Sequence, residues 1–424
     1  MKGIYKYLTQ ISFSHILCVL LFMYPLFATV VRHWNSTLFA ITMLLGLVYF
    51  FSQRRKDAIR LHRYEKVFLW LLAGNFFVFL LTSLIHLPED IAEIRFDIEL
   101  RFLLIIPLYF LLVKQGDGFK CLFYGATLSV FIALGFCLFY VVIQDHQEFD
   151  GIYSRLYTGP IILIYATLSL GYLFGATGNK DWRTWLLIVA LILAAGFSIA
   201  TTHARIAYIG FMSVAILMAG LYAKRQWKWV FVILTMLITL GISALTPDIK
   251  SRMLLAYKEY NNYLELSKST EKRVSAPLSS SVGTRLEMLR IAPLILRDYT
   301  LFGVGNGNYN KAMSVYIDNK ELNPAVNDHS HAHNVFVNVL IVKGLLGLII
   351  TSLVLFYPLY VYIRTYQSST TTASIGILFV TFIFLVSMNE TAPFVKSNFV
   401  ATFLLISLVV FQYHMKTIKR NNDA

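Results

Sequence analysis

Apolar runs long enough to cross a bilayer recur along the chain near residues 15–31, 37–52, 67–85, 101–113, 121–143, 161–175, 185–200, 206–222, 230–245, 335–363, 373–388 and 399–413. A spanning helix needs about 20 apolar residues, so the pattern predicts about 12 such helices. The fourth run is short for a span unless its helix starts inside DIELRF. The turns around Asn35 and His203 leave few residues between neighbouring runs, so both are tight hairpins. One long polar interval, Thr246–Asn334, interrupts the series and divides the chain into a transmembrane region of about nine helices (1–245), a large loop (246–334) and a second transmembrane region of about three helices (335–424).

The loop has a pattern of its own. Across Asp248–Lys272, Met253, Leu254, Tyr257, Tyr260 and Leu264 recur at helical spacing. Thr284 and Glu287 fit a capping box that would open a second helix at Thr284. Between them KSTEKRVSAPLSSS reads as a polar hinge, and GVGNGNYN (303–310) as a turn, because Gly and Asn tolerate positive φ. A dinucleotide-binding reading of the glycines fails, since no strand precedes them.

Composition fixes the class. Hydrophobic residues make up 57% of the 424 and charged residues 14%, with a mean hydropathy of +0.63, against an apolar share of about 45–50% in soluble domains. The net charge of +14 does not indicate nucleic acid, because the Lys and Arg lie in short clusters between apolar runs, where they set membrane orientation. With a cytoplasmic N-terminus, 19 of them fall in cytoplasmic short loops and tails and six on the opposite face. Both termini are therefore expected in the cytoplasm and the loop on the far side. The first run reads as a retained span rather than a cleaved signal. Cys18, Cys121 and Cys137 lie in or beside apolar runs without metal-ligand spacing and read as packing residues, with no disulfide framework.

The far-side arginines are few, so each calls for a reason. Arg205 lies in a hairpin so tight that its guanidinium sits at or just inside the membrane surface, a costly position that points to function, with a snorkelling anchor as the alternative. Arg155 precedes a span on the same face and is either a partner of Arg205 or an ordinary flanking charge. Arg285 is expected in the first turn of the second loop helix, where the helix dipole favours an anion. Together the three would bind a phosphate, whose oxygens the guanidinium matches in pairs. Arg290 and Arg297 either extend that pocket or solvate the helix. In DHSHAHN, alternate histidines share a face only on a strand, and a helix is about to begin, so a metal site is disfavoured. His333 is better placed as a general base oriented by a neighbour, with a capping or interface histidine as the alternative. Lys343, inside an apolar run, must reach a cavity, a carboxylate or the interface. Glu390 could pair with a loop arginine, orient His333 or lie in solvent.

Three motifs, TTHARIAYIG, SSVGTRLEMLRIAPLILRDYTLFGVGNGNY and HAHNVFVNVLIVKGLLGLI, in this order and with a large loop between spans, resemble the O-antigen ligase family of Gram-negative inner membranes. The wider group includes O-antigen polymerases and protein O-oligosaccharyltransferases. The resemblance runs from roughly Phe197 to Ile350. It implies an all-α, GT-C-like polytopic integral membrane protein with a partly helical periplasmic loop. The implied reaction moves O-antigen polysaccharide from undecaprenyl pyrophosphate to the lipid A–core oligosaccharide at the periplasmic face, without a metal or other cofactor. It also implies catalytic roles for His333, Arg205 and Arg285, while Arg155, Arg290 and His331 stand as substrate-binding candidates. Many members carry Glu where Lys343 stands. A different class, a transporter with arginines along a path, is opposed by the charges' confinement to one face and by the lack of matched broken helices in two halves.

Overall fold

A computed structural model describes residues 13–52, 59–88, 93–115, 118–144, 149, 151, 155–175, 181–222, 247–278 and 281–422. These are helical throughout apart from turns, and nine of their helices are long and apolar enough to cross a membrane. The first part of the bundle comprises α1 (Phe13–Leu26), α2 (Trp34–Ser52), α3 (Arg63–Ile85), α4 (Phe96–Leu104), α5 (Ile106–Gln115), α6 (Gly118–Leu138), α7 (Arg155–Gly175), α8 (Trp182–Thr201) and α9 (Arg205–Tyr222). The ninth apolar run, 230–245, lies outside the described residues; each of the other eleven overlaps a helix or a helix pair.

The short fourth run is such a pair, and its helix starts ahead of DIELRF at Phe96. The break at Ile105 follows from Pro107, which has no N–H to return to the Leu103 carbonyl; the Ile105 N–H closes α4 on the Arg101 carbonyl at 3.1 Å. Both expected hairpins are tight and place a non-glycine residue at positive φ, His33 at 61° and His203 at 50°. Asn35 lies within α2, buried, where it bonds Thr402 Oγ1 at 2.8 Å.

One expectation is overturned between α1 and α6. Their backbones come so close that Gly125 packs against the Phe22 carbonyl, and Cys18 and Cys121, read as packing residues, are joined in a disulfide with Cα atoms 5.4 Å apart. Cys137 is a buried free thiol.

The loop contributes α10 (Pro247–Leu266), α11 (Thr270–Ser275), α12 (Ser281–Leu289), α13 (Ile291–Asp298) and α14 (Tyr309–Asp318). It has its own apolar core, built around Ile291, Ile295, Met313, Tyr316, Leu322 and Val326. The helix expected within 248–272 forms as α10, with Leu254, Tyr257, Tyr260 and Leu264 exposed and Tyr263 turned inward. Two other readings of this region need correction. The supposed hinge contains α11, capped by Ser269. The second helix begins at Ser281, so Thr284 and Glu287 are interior and form no capping box. Glu287 is fully buried instead; it pairs with Arg273 and accepts bonds from Tyr263 Oη at 2.7 Å and the Asn323 N–H at 3.0 Å. An unpaired buried charge is costly, so this carboxylate, serving three loop segments, is the polar keystone of the loop.

The last part comprises α15 (Val335–Arg364), α16 (Thr370–Asn389), the short α17 (Ala392–Val395) and α18 (Ser397–Asn422). Helix α15 packs on α3 and α16 and is broken at Gly344, where φ is 63°. Four backbone groups flanking the break are taken up by residues 300–305. The Val304 and Gly305 N–H groups donate to the Ile341 and Val342 carbonyls at 2.8 and 3.1 Å, and those of Leu345 and Leu346 donate to Thr300 and Leu301 at 2.8 and 3.3 Å. GVGNGNYN is thus a turn, as expected, and it docks the loop onto the broken helix. Residues 345–364 alone give roughly 30 Å of helix, the thickness of a bilayer core.

Candidate active site

The HAHN segment is positioned by its last residue. Asn334 caps α15, accepting from the Phe336 and Val337 N–H groups at 2.9 and 3.1 Å, and its amide donates to the Met388 carbonyl at 2.9 Å. A capping Asn is worth about 1 kcal/mol; here it also ties the start of α15 to the end of α16. Two residues beyond Met388 the chain becomes extended and α16 ends at Glu390, whose carboxylate meets the histidines.

Nδ1 of His333 lies 3.2 Å from Glu390 Oε2, and His331 Nε2 lies 3.8 Å from Oε1. A carboxylate only accepts, so Nδ1 of His333 carries the proton and Nε2 is the basic nitrogen of the neutral ring. That nitrogen is 3.4 Å from His329 Nδ1. Burial pulls the Glu390 carboxyl upward, but the neighbouring His331 ring and the bonds from His333 and the Thr391 N–H together hold it far below the ordinary carboxylate range. Glu390 therefore orients His333, the role left open among three by the sequence. Burial, with the nearby charges of His333 and His331, lowers the pKa of His329.

His333 and Arg285 line one cavity of about 300 Å³, with Val282, Leu286, Leu289, Val337 and Met388 as its apolar wall. Arg285 lies in the second turn of α12, not the first, so the helix terminus does not supply the anion site and the guanidinium must act by itself. Burial is the largest pull on its pKa, downward; Glu390 opposes it, and the charge of Arg205 adds to it. Arg205, the first residue of α9, is exposed and close enough to act on Arg285. Arg290 is exposed between α12 and α13 and lines neither this cavity nor the one beside His331. Arg155 heads α7, and its side chain is outside the described residues.

Lys343 finds a carboxylate. Its Nζ lies 2.5 Å from Glu99 Oε1, while Glu99 Oε2 accepts from Asn75 at 3.1 Å and Asn75 in turn accepts from Thr351. Neither Glu99 nor Asn75 carried any sequence signal, since both sit within apolar helices far from Lys343. His331, His333 and Glu390 offer three ligand atoms within 4.8 Å of one another and could hold an ion. Against that use, the carboxylate already serves His333 and Thr391, a closed zinc site takes four ligands, and a guanidinium charge already acts on Glu390.

Residues 188–352, which include Arg205, Arg285 and the HAHN segment, match the family model described as O-antigen ligase. Over those residues, about two fifths of the chain, it is similar to the O-antigen ligase family. That similarity supports a ligase- or polymerase-type glycosyl-transfer role in a membrane, and the family in general implies a lipid-linked polysaccharide donor and a lipid A–core acceptor. A Haemophilus influenzae protein, named only as uncharacterised, is 24% identical over 324 residues, 76% of this chain and 78% of its own length.

Proposed function

We propose that this chain joins O-antigen polysaccharide from undecaprenyl pyrophosphate to the lipid A–core oligosaccharide, by direct inverting transfer without a metal. The observation that carries this reading is the placement of Arg285 and of the Glu390-oriented His333 in one cavity with an apolar wall. The apolar residues suit the start of a polyprenyl tail, and the arginines suit its pyrophosphate. As the acceptor hydroxyl oxygen attacks the anomeric carbon, its proton passes to His333 Nε2. The anomeric C–O bond breaks, and its electron pair leaves with undecaprenyl pyrophosphate, whose charge Arg285 and Arg205 stabilise. A base used in this way is worth about 10²–10⁴-fold. With no enzyme nucleophile, the anomeric centre inverts.

The Lys and Arg distribution supports about twelve spans in a bacterial inner membrane, both termini cytoplasmic, and a periplasmic loop over 246–334 that carries Arg285 and meets His333 at its end. The test is the lipopolysaccharide of a deletion strain complemented with wild-type or His333→Ala protein. Free lipid-linked polymer beside bare core, corrected only by the wild type, is the expected result. Single repeat units on core would instead assign a polymerase, and a full ladder with His333→Ala would overturn the base. In proteoliposomes EDTA should leave transfer unchanged; loss restored by one divalent ion would move the His331–His333–Glu390 cluster to a metal role.

A further inference from the structure

Helices α2, α3 and the α4–α5 pair frame an apolar groove of about 540 Å³ between spans. Packing explains the space. α2 and α5 touch at Gly46, where a Cβ would run into the Leu108 backbone, and Phe50 and Phe110 meet edge to face at 5.4 Å. Because α5 packs far more on α2 than on α3, a gap opens between α3 and α5 beside the break at Ile105. Leu69 and Ala73 form one wall of it, Pro107 and Phe110 the other. Its size falls in the ~300–1,000 Å³ range of small-molecule sites.

The groove lies at the end of the bundle away from the loop, and α3 connects the two ends. Near the last turn of α3, Ser83 Oγ and the His86 carbonyl accept from Asn306 and Asn308 of the docked GVGNGNYN turn at 3.0 and 3.1 Å. In its first turn, Glu65 accepts from Lys419, close to the end of α18, at 2.7 Å. Lys66, the charged residue on the groove wall, belongs to that same first turn. From Lys66 to Ala73 is ~10 Å of helix, less than half of a ~30 Å bilayer core. The groove therefore opens on the leaflet opposite the loop.

Lys66, Trp70 and Ala73 follow at spacings of four and three and so share one face of α3. From the end of the helix inward that face presents a cation, an indole that is 75% exposed, and then apolar wall. A phospholipid presents its phosphate, its interfacial region and its chains in the same order. A lysine beside a span can snorkel on its own, but here Arg60 and Arg63 are exposed at the same end. Glu65, the only acid of α3, is buried and bound by Lys419 and Tyr109, so it does not offset them. We propose that the groove is a site for an anionic glycerophospholipid of this leaflet, with an acyl chain along Leu69, Ala73 and Phe110 and the phosphate at Lys66. Its charge favours that occupant over the tail of a polyprenyl donor, whose pyrophosphate lies at Arg285 in the reading above and offers nothing for Lys66 to bind.

The test titrates the full chain, purified in detergent, with phosphatidylglycerol or phosphatidylethanolamine and reads bound lipid by native mass spectrometry. One phosphatidylglycerol should bind about fivefold more tightly than phosphatidylethanolamine, the gain expected from one basic residue at an anionic headgroup. Lys66→Gln, at an exposed position, should remove most of that preference, and Lys66→Arg should keep it. Leu47→Trp, which fills the groove from its α2 wall, should weaken both lipids without changing the melting temperature. Phosphatidylglycerol with a photoreactive group in its chain should crosslink to segments 69–73 and 103–110. Equal binding of the two phospholipids, an unchanged preference in Lys66→Gln, or crosslinks spread over every lipid-facing helix would overturn the site. Displacement of the bound phosphatidylglycerol by uncharged undecaprenol would overturn it too, and give the groove to a polyprenyl tail.

Discussion

His333 and Glu390, 57 residues apart, meet at 3.2 Å because Asn334 binds the Met388 carbonyl two residues before the carboxylate. The pair fixes the tautomer as well as the direction of the ring. Glu390→Gln keeps the shape but can donate as well as accept and carries no charge, so it should lower kcat about 10–100-fold, with a smaller change in donor KM. His333→Ala should cost about 10²–10⁴-fold. Because the two act as a unit, the double variant should be no worse than His333→Ala alone. Additive losses in single-turnover transfer assays would dissolve the unit.

Arg285 reaches its cavity from the second turn of a helix, without the helix terminus to assist it. Its value then lies in the guanidinium geometry, which meets phosphate oxygens in pairs. Arg285→Lys should retain the charge and still lose most donor affinity, raising the donor KM about tenfold or more. Near-normal donor KM in the lysine variant would reduce the role of Arg285 to that of a point charge.

The buried pair Arg273–Glu287 is 3% and 0% exposed, and Glu287 shares a helix with Arg285 two residues away. Glu287→Ala strands a buried guanidinium and should cost about 3–5 kcal/mol, read as a lower melting temperature of the detergent-purified protein. Arg273→Met with Glu287→Leu, which removes both charges, should recover much of that loss. Equal destabilisation by the single and double variants would argue that packing, not charge, holds the loop.

The cluster also sets an acid limit. The folded-state pKa of His329 is depressed, mainly by burial and then by the neighbouring histidine charges, so the unfolded chain binds more protons and stability rises with pH in this range. The contribution is fully present above the ordinary histidine value of about 6.5 and falls away as pH drops below it. His329→Gln should flatten that acidic loss in thermal unfolding between about pH 7 and 5. An unchanged profile would place the acid sensitivity elsewhere.

Much of this was legible in the chain. The apolar runs located the helices, and Arg205, Arg285 and His333 stood out as charges and a base that an apolar protein must justify. What the pattern hid were partners remote in sequence. Glu99 lies 244 residues from Lys343, and Cys121 lies 103 from Cys18; a period along one helix carries no information about which neighbour faces it. The capping-box reading failed because Glu287 satisfies Arg273, Tyr263 and Asn323 rather than its own helix terminus. The break at Gly344 was invisible because, Lys343 apart, apolar residues continue on both sides of it.

That break makes the sharpest prediction. Gly344 and Gly303 face each other at positive φ, 63° and 67°, and a Cβ on Gly344 would run into the Leu301 carbonyl. A Cβ on Gly303 would meet the Ile341 carbonyl and the Gly344 N–H in the same way. Alanine at either position must therefore adopt left-handed backbone and push the turn off the helix, at about 1–3 kcal/mol for the backbone alone. The consequence reaches the site, because the turn docks on the part of α15 that carries Asn334 at its start. Gly344→Ala should lower the melting temperature and also reduce transfer at temperatures where the protein remains folded, with both KM values rising. Gly135→Ala, where an added Cβ meets nothing within 4 Å, is the control and should change neither. A Gly344→Ala protein with full activity would show that docking of the turn is not what positions the HAHN segment.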